Sequence, residues 1–275
     1  MGSRIARRFL DAGHEVVVWN RTRARMAPLV DAGAGAAESP ADAARRAEAV
    51  VTMVADPDAL FAVCEGSDGI VAGIGGGTMI EMSTVGPAAI ARLMSVLPTD
   101  AGLLDAPVLG STTEAEAGRL RVFLGGPDAL VKRWTPALGA LGSPLHVGPL
   151  GAGASAKLVA NAALLGTLTL VGETLALAEA LGLSRELAFE VLAATPLAAQ
   201  AERRRQAVES GEYPRRFALS LARKDADLIS AAADGAGLEL RVLAAARAWL
   251  ADAEQAGWGE RDYAEVIAAI LRSGR

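Results

Sequence analysis

The sequence holds one cysteine, Cys64, and two histidines, His14 and His146. A lone thiol excludes an intramolecular disulfide and fits a reducing compartment, so a cytoplasmic location is expected. With no cluster of Cys or His, no metal centre is expected either. Positive charge is also short: 27 Lys and Arg face 32 Asp and Glu, a net charge of −5. That balance gives no sign of binding to nucleic acid or to an anionic membrane. Long uninterrupted apolar runs are missing. Asp11, His14 and Glu15 break the N-terminus, so no secretory signal is expected. The longest apolar stretch, Leu158 to Leu183, carries Asn161, Glu173 and Glu179, so it reads as a buried helix and not a membrane span.

What is present is a 275-residue chain, 52% hydrophobic, enough for two modest domains with large cores. Ile5, Ala6, Phe9 and Leu10 alternate with Arg4, Arg7 and Arg8 in a helical pattern that stops at Ala12-Gly13, a helix C-cap signal. The apolar run 16–19 follows, then Asn20-Arg21-Thr22-Arg23. Helix, glycine, strand and polar tip make the second half of a βαβ nucleotide unit. Its first half, a strand running into G-x-G-x-x-G, is represented only by Gly2, so about ten residues of the usual opening are expected to be missing. Further strands are predicted at 49–54, 78–82, 103–108 and 119–124. Helices are predicted at 23–31, 39–46 (Ser39 as cap, Pro40 at its first position) and 88–97. Short apolar runs between helical patterns predict an α/β fold, a Rossmann-type doubly wound parallel sheet. From Gly151 onward only helical spacing appears, near 154–182, 184–194, 196–210, 218–235, 240–256 and 262–272. The expected division is a nucleotide-binding domain over 1–150 and an all-helical substrate and dimerisation domain over 151–275, joined by a long helix.

The tip after the strand at 16–19 is the first chemical clue. In dinucleotide-binding folds an acidic residue there accepts hydrogen bonds from the ribose hydroxyls. Here the residue is Asn20, followed by Arg21, Thr22, Arg23 and Arg25. A carboxylate would repel a 2′-phosphate, whereas guanidinium forks and a hydroxyl suit it. Asn20, Arg21 and Thr22 are therefore expected to bind cofactor, with NADP(H) preferred and NAD(H) possible. A solvated basic turn is the plainer alternative. The second clue is Lys157 with Asn161, four residues apart and so on one face of an otherwise apolar helix. Burying such groups is costly unless something pairs with them, and burial moves a lysine toward the range of a general acid or base. A lysine with a packed stem and a wet head fits the same spacing.

Seven stretches in order carry a resemblance: HEVVVWNRT at 14–22, MVADPDA at 53–59, EMSTVGP at 81–87, DAPVLGS at 105–111, GAGASAKLVAN at 151–161, FALSLARKDADL at 217–228 and GWGERDYAEV at 257–266. With them the chain resembles the β-hydroxyacid dehydrogenase family, which includes 3-hydroxyisobutyrate dehydrogenases, tartronate-semialdehyde reductases and glyoxylate/succinic-semialdehyde reductases. The resemblance implies reduction of a small aldehyde or keto acid, or oxidation of the 3-hydroxy acid. It implies that Lys157 is the catalytic lysine and that Asn161 holds substrate beside it. Lys224, supported by Asp225, would lie near the nicotinamide, and Val54, Ala55 and Thr84 would line the cofactor cleft, with Gly2 left from the phosphate-binding turn. Where the family commonly has serine, this chain has Leu109, followed by Gly110 and Ser111. These three form the expected substrate loop, with Ser111, Thr112 or backbone amides taking the serine's role, or a less polar substrate. A homodimer or larger homo-oligomer is also implied. Two alternatives stand beside this: an imine-reductase-like enzyme, against which Lys157 argues, and a degenerate, non-catalytic binding protein, toward which the missing opening points.

Overall fold

A computed structural model describes residues 1–273, and the chain divides into two compact units, Met1–Leu158 and Val159 onward. The first unit opens with α1 (Gly2–Asp11), which ends at Ala12 with Gly13 in the left-handed region. β1 (Val17–Val18), α2 (Ala27–Val30), β2 (Gly35–Ala36), α3 (Pro40–Arg45), β3 (Ala49–Thr52) and α4 (Pro57–Cys64) follow. Then come β4 (Thr78–Glu81), α5 (Gly86–Val96), β5 (Gly102–Asp105), β6 (Val108–Leu109), α6 (Thr112–Glu116), β7 (Leu120–Gly125), α7 (Asp128–Leu138) and β8 (Gly142–Gly148).

β3, β4 and β5 pair in parallel, and their side chains alternate between two apolar layers. Met79 and Leu103 face Leu60, Phe61, Ile90 and Leu93 of α4 and α5. Ile80 and Leu104 face Ile5 of α1 and Val131 and Leu138 of α7. Helices therefore cover both faces, which makes the sheet doubly wound. Two features depart from an all-parallel sheet. β1 and β2 pair only with each other, and β3 heads the larger sheet, ordered β3-β4-β5-β7-β6 with β8 beside β7. β7 runs antiparallel to β5 and β6, because the short α6 connection returns the chain as a hairpin does.

Local chemistry accounts for the elements the spacing passes over. Asp56 accepts the Ala59 amide at 2.7 Å and Pro57 takes the first helical position, so Asp56-Pro57 starts α4 soon after β3 ends. Ser111 and Glu114 form a capping box for α6. α7 runs through Pro136, a residue that argues against a helix interior. β8 is a partly exposed edge strand with Pro144 in it, and so lacks the apolar run of a central strand.

α8 (Ala152–Ala180) begins in the first unit and continues through the second. By length and composition it is the one described helix that could cross a membrane, and half of its most apolar window is buried. The second unit continues with α9 (Arg185–Ala193), α10 (Ala198–Ser210), α11 (Leu219–Gly235), α12 (Arg241–Ala253) and α13 (Val266–Ser273). Leu165, Leu168, Val171 and Leu175 of α8 are buried, as are Ala222, Ala226, Leu250 and Ile267 of the later helices. Gly172 admits α13 at close range: a Cβ there would lie 2.7 Å from Ile270 Cδ1.

Candidate active site

Parallel strands in register bring their carboxyl ends to one edge, the edge at which open α/β sheets bind ligands. Thr52, Glu81 and Asp105 end β3, β4 and β5 side by side. Glu81 and Asp105 are both fully buried, at 0% exposure. A carboxylate in that position is destabilising unless donors saturate it, and here they do. Glu81 accepts the Ser83 amide at 2.6 Å and also bonds the Thr52 hydroxyl. The Ser83 hydroxyl accepts the Val54 amide at 2.8 Å. This chain of bonds ties together the tips that carry Val54, Ala55 and Thr84. Asp105 Oδ1 accepts the Gly151 amide at 2.8 Å, and Oδ2 accepts the Ala154 amide at 2.6 Å. Burial pushes the Asp105 carboxyl above its ordinary value, against the opposing pull of the Ala154 and Gly151 amides.

Asp105 thus satisfies amides at the start of α8, the helix that carries Lys157 three residues beyond Ala154. Lys157 is buried, at 9% exposure. Asn161 lies one helical turn further on the same face. In the second unit the Asn161 amide donates to Asp225 Oδ2 at 2.7 Å, and Lys224 Nζ lies 2.7 Å from Asp225 Oδ1. Asp225 therefore links Asn161 to Lys224. Asn161 Oδ1 is buried and has no protein hydrogen-bond partner.

The remaining candidates belong to the first unit. Gly2 opens α1, whose first turn has neither an acidic residue nor a side-chain cap. Uncapped amides and the helix dipole suit a phosphate. A Cβ on Gly2 would lie 3.6 Å from Met53 Cβ, an ordinary contact, so packing alone does not demand glycine. At the β1 tip, the Asn20 amide donates to the Thr22 carbonyl at 2.9 Å. Arg23 pairs with Glu38 through two bonds of 2.9 and 3.0 Å and is exposed, as are Arg21 and Arg25. Leu109 ends β6 half-buried, Gly110 has φ 138°, and the Ser111 hydroxyl donates to Glu114. The hydroxyl proton of Ser111 is therefore already used within the capping box.

This set fits a dinucleotide: an uncapped helix start, a basic tip without a carboxylate at position 20, and strand ends whose own polar atoms are internally satisfied. Two surface cavities, of about 330 Å³ beside Ser230, Asp234 and Arg241 and about 350 Å³ beside Arg4, Arg7 and Arg25, are lined by neither Lys157, Asn161 nor the strand tips. Glu81, Ser83 and Asp105 carry no role in the sequence reading. The available signal was a carboxylate closing an otherwise apolar strand, in Thr-Met-Ile-Glu and in Leu-Leu-Asp.

Comparison with known proteins places the chain. Residues 1–151 match the family described as the NAD binding domain of 6-phosphogluconate dehydrogenase. Residues 151–270 match the family described as NAD-binding of NADP-dependent 3-hydroxyisobutyrate dehydrogenase. Glyoxylate/succinic semialdehyde reductase 1 of Arabidopsis thaliana is 30% identical over 274 residues, covering 98% of this chain and 95% of that protein. The 3-sulfolactaldehyde reductase of Escherichia coli is 30% identical over 275 residues, covering 98% and 92%. The crystal structure of a 3-hydroxyisobutyrate dehydrogenase from Salmonella typhimurium superposes with a TM-score of 0.83 at 27% identity, covering 98% and 95% of the two chains.

Proposed function

This chain belongs to the β-hydroxyacid dehydrogenase family, and we propose that it uses Lys157 to pass a proton while a small aldehyde or keto acid is reduced, or a 3-hydroxy acid oxidised. It is an NAD(P)-dependent oxidoreductase acting on CH–OH groups. When bound, the dihydronicotinamide supplies the hydride that such a reaction needs. The chain's own residues have three tasks: to hold the nucleotide, to orient the carbonyl and to manage its proton.

The observation that carries the proposal is a lysine at 9% exposure on a helix whose first turn is fixed to the sheet, with Asn161 four residues further on. As an ammonium, Lys157 stabilises the charge growing on a carbonyl oxygen and donates its proton there. As a neutral amine it removes a hydroxyl proton in the reverse direction. Asn161 Oδ1, an acceptor without a protein partner, suits a substrate hydroxyl. Lys224, paired with Asp225 at 2.7 Å, is assigned to the nicotinamide on the strength of the family resemblance. Lys157 also ranks carbonyl reduction ahead of imine reduction.

Val54, Ala55 and Thr84 line the cofactor cleft, and the start of α1 at Gly2 receives a phosphate. Asn20, Arg21 and Thr22 favour NADP(H), with NAD(H) possible. Leu109 brings no hydrogen bond and the Ser111 proton is committed, so the substrate's acidic end falls to backbone amides around Gly110. Glyoxylate, succinic semialdehyde and tartronate semialdehyde are the first substrates to assay. Nucleotide binding is assigned to 1–150 and substrate binding and dimerisation to 151–275 in this reading. Val159, Leu170 and Leu177 leave an apolar stripe exposed along α8, continued by Leu181 just past its end, which supports a homodimer or larger homo-oligomer. We place the enzyme in the cytoplasm, with no nucleic-acid or membrane partner.

The test follows NADPH oxidation with a panel of small aldehydes, comparing the wild type with Lys157→Ala. Loss of the proton donor should lower kcat by about 10²–10⁴-fold. Turnover undiminished in the variant would refute the role.

A further inference from the structure

We infer that Asp105 is a positioning residue for the reaction, a clamp that sets where Lys157 stands by fixing the first turn of α8. The inference rests on the proposed role of Lys157 and adds to it a residue that neither the sequence pattern nor the resemblance singles out.

The geometry is that of a built anion cradle filled by the protein's own carboxylate. Asp105 ends a strand on which Leu103 and Leu104 are buried, and it is itself at 0% exposure. Its two oxygens take separate amides of one short segment, Gly151 at 2.8 Å and Ala154 at 2.6 Å. These are among the donors that a helix start leaves without a partner inside the helix. The backbone closes around the carboxylate on both sides. A Cβ on Gly125 would overlap Asp105 Oδ1, and one on Gly153 would lie 2.9 Å from Oδ2 and 2.7 Å from the Asp105 carbonyl oxygen. Two glycines therefore leave the space the carboxylate needs. Gly125 is also the register partner of Asp105 across the β5–β7 pair, so β7 backs the clamp.

A helix held at its N-terminal amides can neither slide along its axis nor rotate about it without breaking charge-assisted bonds. Lys157 is three residues beyond Ala154, less than one turn from the held amide. Its backbone thus inherits the position of the clamp, and a displacement of about 1 Å at a reacting group costs on the order of 10²-fold in rate. Asp105 touches no reacting atom in this scheme. It acts through the helix.

Asp105→Asn keeps the shape and one acceptor oxygen but turns an N–H₂ toward one of the two backbone amides. The expected result is a kcat lower by about tenfold to 10²-fold, with the KM for NADPH changed by less than about threefold. Amide hydrogen exchange, measured without cofactor, should quicken over residues 151–157 and remain slow in β3 and β4. Asp105→Ala should deepen both effects. A merely structural role predicts faster exchange across the whole first unit and unchanged kcat in the folded fraction. That result, or wild-type kcat with exchange at 151–157 still slow, overturns the inference. Lys157→Ala is assayed in parallel. Full activity there sinks the proposed function, whereas loss of activity there combined with normal kcat in Asp105→Asn sinks only the clamp.

Discussion

Replacing Glu81 with alanine should destabilise the protein by about 2–4 kcal/mol, as a balance of two opposed effects. Removing a fully buried carboxylate relieves a desolvation cost of several kcal/mol. It also orphans two donors, the Ser83 amide and the Thr52 hydroxyl. Bonds to a charged acceptor contribute about 1.5–3 kcal/mol each, and a buried donor left unpaired costs about 1–3 kcal/mol. The Ser83 amide is backbone and cannot turn away, whereas the Thr52 hydroxyl can rotate, so one donor bears the full cost and the other part of it. The loss of donor satisfaction therefore outweighs the relief. Urea unfolding followed by circular dichroism measures the balance. Combining Glu81→Ala with Thr52→Val isolates the coupling: with its partner gone, Thr52→Val should cost at least about 1 kcal/mol less than in the wild type. Because Ser83 carries the tie to Val54, the KM for NADPH should rise by about tenfold in Glu81→Ala. Stabilities that add to within about 0.5 kcal/mol would refute the network.

Other outcomes follow from the same residues. Arg21→Ala should lower the preference for NADPH over NADH by about tenfold in kcat/KM, the equivalent of one charge-assisted contact; an unchanged ratio removes Arg21 from the phosphate site. Leu170→Glu with Leu177→Glu should reduce the particle mass in light scattering if the α8 stripe joins copies, and an unaltered mass excludes that surface. Burial pushes the Cys64 thiol up from its ordinary value of 9 to about 12, with Glu81 and Glu65 adding to the effect. Iodoacetamide should therefore leave native Cys64 unlabelled at pH 8. Since the folded value is the higher one, this thiol's contribution to stability is complete below pH 9 and is lost as pH rises toward 12. Rapid native labelling would contradict the burial.

Legibility in the sequence followed the range of the interactions. α8 was plain, because its apolar residues recur every three or four positions and Gly151 marks its start. β3, β4 and β5 were plain as buried apolar runs. α4 and α6 were equally local, in Asp56-Pro57 and in Ser111 with Glu114, yet helices this short leave little periodicity beyond their caps. β8 was illegible because an edge strand with one wet side and a proline has no period to read. Of the site, Lys157 and Asn161 could be paired by spacing alone. The hold of Asp105 on α8 could not, since its amide donors lie 46 and 49 residues away. The pairing of Arg23 with Glu38, 15 residues on, likewise lies outside what local spacing can read.

The shared level of Thr52, Glu81 and Asp105 restricts how this enzyme can diverge or be redesigned. Their alignment depends on β3, β4 and β5 ending flush, so inserting or deleting one residue in any of them would swing its terminal polar side chain to the opposite face and unhook whatever it tethers. Loop grafts placed past the strand ends leave that alignment untouched. New specificities are therefore best sought by rewriting the segments after Thr84 and after Leu109 while strand lengths are kept constant.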